Sequence, residues 1–440
     1  METRLVDDAR AILRAAMNAV ALERVVPKRL LRHGRILDFP GGSCALPEQV
    51  RVASVGKAAG PMLDGFLDVL GPDPRPTESL VVQGRDGLAP GHPATIVTAG
   101  HPEPDAGSFE AARRVLDLAR QAERGSLFVL LVSGGGSAML EQPIDPAIEL
   151  HDLAAFYRTL VGCGAPIGDV NAVRKTLSAI KGGRLLRACS PATCLTLIVS
   201  DVPGDDPALV ASGPTIPDPD AYTRAAAVVL EYSLVAAAHA SIRPWLERLL
   251  SGERPPDYRR SMVETDSNVS VLLGSADVLE AARRAAEEHG YLACVDTLAD
   301  EVPVDDAARG LLDRLDAHAA AHPGRRVALI ADGEVLSRVT GPGVGGRNQA
   351  FVLRCVTRIA GRPRCVLSAG TDGIDGNSPA AGAVADGDTL ARARTAGLDS
   401  EAAFLASDSH GFFDALGSTI VTGATGNNLR DLRVLLASPA

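Results

Sequence analysis

Several reactive side chains in this sequence follow short apolar runs and stand beside glycine. Lys57 lies in SVGKAAG, directly after the apolar stretch at 51–55, where a lysine can hold a phosphate as a point charge. Leu127–Leu140 reads LFVLLVSGGGSAML: an apolar run, then Ser133, Gly134, Gly135, Gly136 and Ser137. Successive glycines let the backbone take positive φ and let a ligand approach without a Cβ in the way. A helix start behind them would offer N–H groups to an anion. Asp201, Asp205 and Asp206, in SDVPGDD, could bind magnesium or accept a hydroxyl proton. In Glu334–Phe351, glycines at 341, 343, 345 and 346 lead into Arg347. A guanidinium at a helix start works against the dipole, which makes it a functional candidate, and its fork suits carboxylate or phosphate. Asp372 and Asp375, in GTDGIDG, are a second carboxylate pair available to a metal. Each feature alone also has a plain reading: a tight turn, a solvated lysine, aspartates that close turns or cap helices.

The surrounding pattern says what must position these groups. Short β-rich runs alternate with helical stretches: strands at 51–55, 80–82, 95–98, 127–132 and 193–199, then 269–273, 292–296, 327–331, 335–340, 365–369 and 419–422. Ser108 is a helix N-cap, Asp169–Arg187 reads as one long helix, and Tyr222–Leu250 reads as helical. The alternation predicts an α/β architecture with mainly parallel sheet, in which ligands sit beyond the carboxyl ends of strands. Ser251–Asp257, SGERPPD, is a composition break that divides the chain into residues 1–250 and 251–440.

The bulk numbers narrow the function. A chain that is 46% hydrophobic and 22% charged is ordinary globular protein. Its net charge of −10 argues against a nucleic-acid surface, so a phosphate ligand must be drawn by local cations. No apolar run approaches a membrane span, and METRLVDDAR has no signal-peptide character. The cysteines number seven, are scattered and form no CxxC, which suits reduced thiols in the cytoplasm. The sequence is silent on oligomeric state and compatible with a homodimer.

Familiar motifs are mostly absent. Lys57 is not a P-loop lysine, because Ala58 follows it; Ser137 is not a nucleophile elbow, because Met139 stands where glycine is needed. No HExxH or close His/Cys pairing suggests zinc. Gly341, Gly343 and Gly346 match G-x-G-x-x-G literally, but Pro342 removes a donor and no acidic residue ends a strand at the required distance.

Taken together, VGKAA at 55–59, SGGGSAML at 133–140, VRKTLSAIKGGRL at 173–185, SDVPGDD at 200–206, SGPT at 212–215, GGRNQ at 345–349, AGTDGIDG at 369–376 and TGATGNN at 422–428 resemble the glycerate 2-kinase family, the class II glycerate kinases or MOFRL family. The resemblance spans nearly the whole chain in one order. It implies an N-terminal Rossmann-like, mainly parallel α/β/α sandwich and a C-terminal MOFRL-like α/β domain, with the active site in the cleft between lobes. It implies transfer of the γ-phosphoryl of ATP to the 2-hydroxyl of D-glycerate with Mg2+ or another divalent cation. Lys57, Asp201 and Arg347 match the family's functional residues. Ser133 to Ser137, Glu334, Gly345, Gly346 and Asn348 fall in its nucleotide- and substrate-binding motifs. The chain departs from the family at Asp332-Gly333-Glu334, usually Gly-Gly-Glu, and at Ala350, usually Glu. Members are also labelled hydroxypyruvate reductases, so an NAD(P)H-dependent enzyme is the rival reading. A non-catalytic nucleotide- or sugar-acid-binding protein is the third.

Overall fold

Val50–Val55 (β4) and Leu127–Val132 (β7) are apolar almost throughout, which suits strands covered on both faces, and they are adjacent at the centre of a parallel sheet. The computed structural model describes residues 2–73, 75–85, 87, 92–255, 267–297 and 300–439. A small antiparallel meander comes first: β1 (Leu31–His33), β2 (Ile36–Phe39) and β3 (Gly42–Ala45). The sheet is completed by β5 (Glu78–Gln83), β6 (Thr95–Thr98), β8 (Thr193–Val199) and β9 (Ser267–Leu273). Its order is β6-β5-β4-β7-β8-β9, parallel at every pairing. Numbered from β4, this is the 3-2-1-4-5-6 order of a doubly wound fold, with its switch point between β4 and β7.

The chain divides into two units, residues 22–273 and residues 1–21 with 274–440. By their contacts the units part at 21/22 and 273/274, whereas the composition break lies at 251–257. Val269–Leu273, expected to open the second half, is part of β9 and pairs with β8 as the edge of the first sheet. Helix Glu2–Ala19 belongs with the second unit, where Tyr291 donates to Asp8 at 2.8 Å. Of the expected linker 251–257, residues 256 and 257 lie outside the described residues.

The second unit's sheet runs β10-β11-β15-β12-β13-β14. The strands are β10 (Leu292–Asp296), β11 (Val327–Ala331), β12 (Arg364–Gly370), β13 (Gly382–Asp386), β14 (Thr419–Ile420) and β15 (Asp431–Ala437). Only β10 and β11 pair in parallel. The parallel expectation fails here because β15 enters the middle antiparallel to both β11 and β12. Val335–Thr340 is not a strand; it makes one bridge, from Leu336 to Pro303.

Helices also end where the backbone demands it. The expected long helix at 169–187 is two, Ile167–Leu177 and Arg184–Cys189: the chain is already extended at Ser178, with ψ 139°, and Gly182 and Gly183, with φ of 61° and 82°, turn it into the second helix. The stretch 222–250 breaks into Ala221–Glu231, Leu234–Ala237 and Arg243–Leu250, with Ser233 left-handed at the first break. Asp105, not Ser108, is the N-cap of helix Ala106–Arg120; Ser108 completes a reciprocal capping box. Helix Arg347–Ile359 is capped from a distance: Asp375 accepts from the amides of Asn348 at 2.9 Å and Gln349 at 2.8 Å. No described helix is long and apolar enough to cross a membrane.

One buried ion pair and one buried carboxyl in these cores give stability predictions. Lys181 and Glu141 are fully buried and paired at 2.5 Å, and Glu141 also accepts from Tyr157 at 2.7 Å. Lys181→Met would strand that carboxylate and should cost about 3–5 kcal/mol by chemical denaturation, largely regained in the Lys181→Met/Glu141→Gln double variant; an unshifted midpoint would contradict this. Asp375 is pushed up from 3.8 to about 6, chiefly by burial, against the pull of the Gln349 and Asn348 amides. A carboxyl that holds its proton more tightly when folded contributes stability below its unfolded pKa and loses it as pH rises through the folded value. Stability should therefore fall between about pH 4 and 6 in the native chain, and more flatly in Asp375→Asn, as read from denaturation midpoints.

Candidate functional site

The first unit gathers its candidates at the carboxyl ends of β4, β7 and β8. Register sets this: Val55 is opposite Val132, and Val132 opposite Ile198, so the chains leave the sheet at nearly one level. Gly56 follows β4 with φ +118°, and a Cβ there would lie 2.4 Å from the Ser133 hydroxyl. Two bonds then tie the β4 and β7 turns together, Lys57 N–H to Gly134 O at 2.9 Å and Ala58 N–H to Ser133 Oγ at 3.0 Å.

The glycines are required by contact. A Cβ on Gly134 would fall 1.8 Å from Asp201 Oδ2, and one on Gly136 would fall 2.8 Å from the Ala211 Cβ. On Gly135, φ +84°, it would approach His101 Cδ2 at 3.1 Å and Lys57 Cγ at 3.4 Å. Lys57, Gly134, Gly135 and Asp201 are thus one cluster, with Lys57 exposed and Asp201 half-buried. The expected helix behind the turn is a single turn, Gly136–Met139, so little dipole supports an anion there. Asp206 accepts from the Ala208 amide at 2.9 Å and serves its own turn.

Residues not foreseen as functional complete this cluster. His101 comes from the loop after β6. Desolvation, with the Lys57 charge adding to it, lowers its pKa to about 4, so the ring is neutral at neutral pH. The Ser137 hydroxyl meets Ser212 Oγ at 2.9 Å, and Ser212 donates to Asn171 Oδ1 at 2.9 Å. Ala211 and Ser212 are both left-handed, at φ 50° and 59°, which non-glycine residues adopt at a cost. The long loop and its SGPT sequence were the only signals for them.

The second unit gathers Glu334, Arg347 and Asn348. Arg347 opens helix Arg347–Ile359 and donates to Asp431 through Nε at 2.7 Å and Nη2 at 3.1 Å, and to Glu334 through Nη1 at 2.8 Å. These carboxylates resolve the conflict with the dipole. Burial alone would lower the Arg347 pKa, but Asp431 and Glu334 outweigh it and hold it above the ordinary value. Burial raises the Glu334 carboxyl while Arg347 opposes that rise. Asn348 donates to Asp431 at 2.9 Å and accepts from Ser368 at 2.5 Å. Asp431, unforeseen, is the hub, and it lies at the start of the unforeseen strand β15.

Behind it are Arg433, which donates to the carbonyls of Asp332 at 3.0 Å and Gly333 at 2.7 Å, and Arg430, which pairs with Asp300 and holds φ +72°. Asp332 is pushed up chiefly by burial, with Arg430 pulling it down.

The remaining glycines and acids have structural explanations. A Cβ on Gly345 would strike Ser409 Oγ at 2.2 Å, and one on Gly346 would strike Asp375 Oδ1 at 2.3 Å. Gly341 and Gly343 pack on 406–408 and follow no strand, so the literal G-x-G-x-x-G lacks its structural context. Asp375 spends both oxygens on the amides and side-chain nitrogens of Asn348 and Gln349, which leaves it ill suited to a metal. Asp372 accepts from the Ile374 amide at 3.1 Å within its own turn. Among the described residues, no group of three or more His, Cys, Asp or Glu is placed to hold a metal ion.

Residues 8–247 match the domain of unknown function DUF4147, and residues 327–431 match the MOFRL family. The chain is 32% identical to the D-glycerate 2-kinase of Thermotoga maritima, over 88% of this chain and 90% of that protein. It is 35% identical to an Agrobacterium vitis protein named provisionally as a hydroxypyruvate reductase, over 97% of this chain and 94% of that one. The crystal structure of a glycerate kinase from Thermotoga maritima superposes with a TM-score of 0.83 at 29% identity, covering 99% of this chain and 100% of that chain. The chain belongs to the glycerate 2-kinase family, the class II glycerate kinases that carry a MOFRL domain.

Proposed function

We propose that the protein transfers the γ-phosphoryl group of ATP to the 2-hydroxyl of D-glycerate, giving 2-phosphoglycerate and ADP. The observation that carries this reading is the cluster at the switch point of the parallel sheet. There Lys57 and Asp201 flank the Gly134–Gly135 backbone, which has no room for side chains. Phosphoryl transfer asks for positioning and charge neutralisation more than for covalent chemistry. In the proposed reaction the glycerate 2-hydroxyl oxygen bonds to the γ-phosphorus and the bond to the β-bridging oxygen breaks. ADP leaves with that electron pair, and the hydroxyl proton goes to Asp201.

Lys57 neutralises the moving phosphoryl as a point charge, and the bare backbone at 134–136 admits phosphate oxygens closely. Arg347 is assigned to the turnover, held in one orientation by Asp431 and Glu334. Gly345, Gly346 and Asn348 shape the start of its helix. A divalent cation bound with ATP would supply charge neutralisation at its phosphates, and none of the described residues is assigned to hold it. Seven cysteines free of disulfides fit a cytoplasmic setting.

The reductase alternative requires a dinucleotide fingerprint in the turn after β4. That turn reads Gly56-Lys57-Ala58-Ala59-Gly60, with a lysine where close backbone approach is needed.

Three measurements test the proposal. Purified protein should release ADP with D-glycerate, and phosphorus NMR should place the phosphate on carbon 2; hydroxypyruvate-dependent NAD(P)H oxidation that tracks the protein would overturn it. Lys57→Ala and Arg347→Ala should each lower kcat by about 10³-fold, with unchanged melting behaviour in Lys57→Ala and a lower midpoint in Arg347→Ala, which leaves the buried Asp431 carboxylate short of a partner. Gly134→Ala should lose activity to a similar degree, because its Cβ must displace Asp201; normal turnover in that variant would remove Asp201 from the reaction.

A further inference from the structure

Phosphoryl transfer to glycerate, the reading on which this inference rests, leaves the substrate carboxylate without a partner. Arg347 is already matched by Asp431 and Glu334, and Lys57 is assigned to the phosphates. Arg174 is placed differently. It lies in the last turn of helix Ile167–Leu177, and its Nε is sealed from solvent with no hydrogen-bond partner among the described residues. Its recorded hydrogen bond is a long one, from Nη1 to Asn171 Oδ1 at 3.5 Å.

The guanidinium lies over the Tyr157 ring, 5.3 Å from its centroid. The acid that faces it, Glu141, is committed elsewhere, to Lys181 at 2.5 Å and to the Tyr157 hydroxyl at 2.7 Å. Two cations against one carboxylate leave one positive charge uncompensated. A half-buried guanidinium whose Nε meets no partner is better satisfied when an anion arrives to match it. Burial accordingly lowers the Arg174 pKa, against the pull of Tyr157 and Glu141, but a guanidinium keeps its proton.

Arg174 is also connected to the proposed reaction site. Asn171, which it touches, accepts from Ser212 at 2.9 Å, and Ser212 meets Ser137 of the glycine turn at 2.9 Å. In a 2-hydroxy acid the carboxylate is bonded to the carbon that carries the reacting hydroxyl, so its partner must lie near the phosphoryl site. The planar fork of arginine, held flat on Tyr157, fits both oxygens of a carboxylate at once.

We infer that Arg174 binds the carboxylate of the hydroxy-acid substrate and sets the preference for an acid over a neutral polyol or amide.

The test uses the full chain with Arg174→Met and Arg174→Lys, D-glycerate against neutral D-glyceramide, ADP release, and calorimetric binding of D-glycerate. Arg174→Met should raise KM for D-glycerate about 100-fold, leave KM for ATP within about twofold, and shrink the preference for glycerate over glyceramide by a similar factor. Arg174→Lys should recover part of the loss, since a point charge remains but the fork is gone. It also carries the test should the methionine variant fail to fold, with an expected loss of about tenfold. An unchanged glycerate KM and an unchanged preference would overturn the assignment. A loss confined to the ATP KM would also overturn it and make Arg174 a phosphate ligand. Native protein that binds glycerate in an Arg174-dependent way yet releases no ADP would sink the kinase reading and leave Arg174 standing. ADP release with a glycerate KM unmoved in the variants would do the reverse. Native protein that neither binds glycerate nor turns it over would end both.

Discussion

The first unit depends on a register. β4, β7 and β8 are aligned so that Val55, Val132 and Ile198 lie side by side, and each chain then turns out of the sheet at the same height. Because the turns leave together they collide unless one of them has no side chains. That is why Gly134 faces the Asp201 carboxylate with no space for a Cβ, and why the Gly135 turn runs between His101 and Lys57. The glycines do not make the site flexible. They let a cation, an anion and bare backbone occupy a volume that any alanine would spoil.

Arg347 and Arg174 are partnered in different ways. Around Arg347 each cation meets an acid or a carbonyl: Asp431 and Glu334 on Arg347 itself, Asp300 on Arg430, the 332 and 333 carbonyls on Arg433. Such a network holds the guanidinium in one orientation, and an incoming anion must displace a partner to reach it. Around Arg174 the balance is left open, because its nearest acid serves Lys181. A saturated arginine suits a group that must be steady while charge moves past it. An unsaturated one suits a group that waits for an anion.

Much of this was legible in the sequence, and the rest was hidden for identifiable reasons. The strand–glycine–helix pattern at 127–140 and the lysine after β4 could be read because one local segment carries both the element and the chemistry. Arg347 was legible through its conflict with the helix dipole, but its resolution was not: Asp431 is 84 residues away and is supplied by β15. That strand is fully buried and carries Arg433 in its middle, so it lacks the alternation that marks a half-exposed strand. Ser212 and Asn171 showed no joint role for a related reason. Polar residues in a loop and on a helix become a relay only once the fold brings them to Ser137. Asp375 was misleading, since an acid in a glycine-rich turn looks the same whether it binds a cation or caps a helix that starts 28 residues earlier, at Arg347.

The strand order raises one more question, because 3-2-1-4-5-6 is the arrangement that dinucleotide-binding domains use. The order alone favours neither a kinase nor a reductase; it only says where a ligand can sit. The turn at the switch point makes the choice. A dinucleotide site brings its pyrophosphate against glycine backbone at a helix start and keeps side chains away. Here the first turn carries Lys57 and is fastened to the β7 turn by the Gly134 carbonyl and the Ser133 hydroxyl, so the bare backbone has moved across to β7. A cation after one strand beside close-packed glycine backbone after the next suits the proposed transfer, in which a phosphate is held by charge while it changes partners. A pyrophosphate that stays intact needs no such mobile charge beside it.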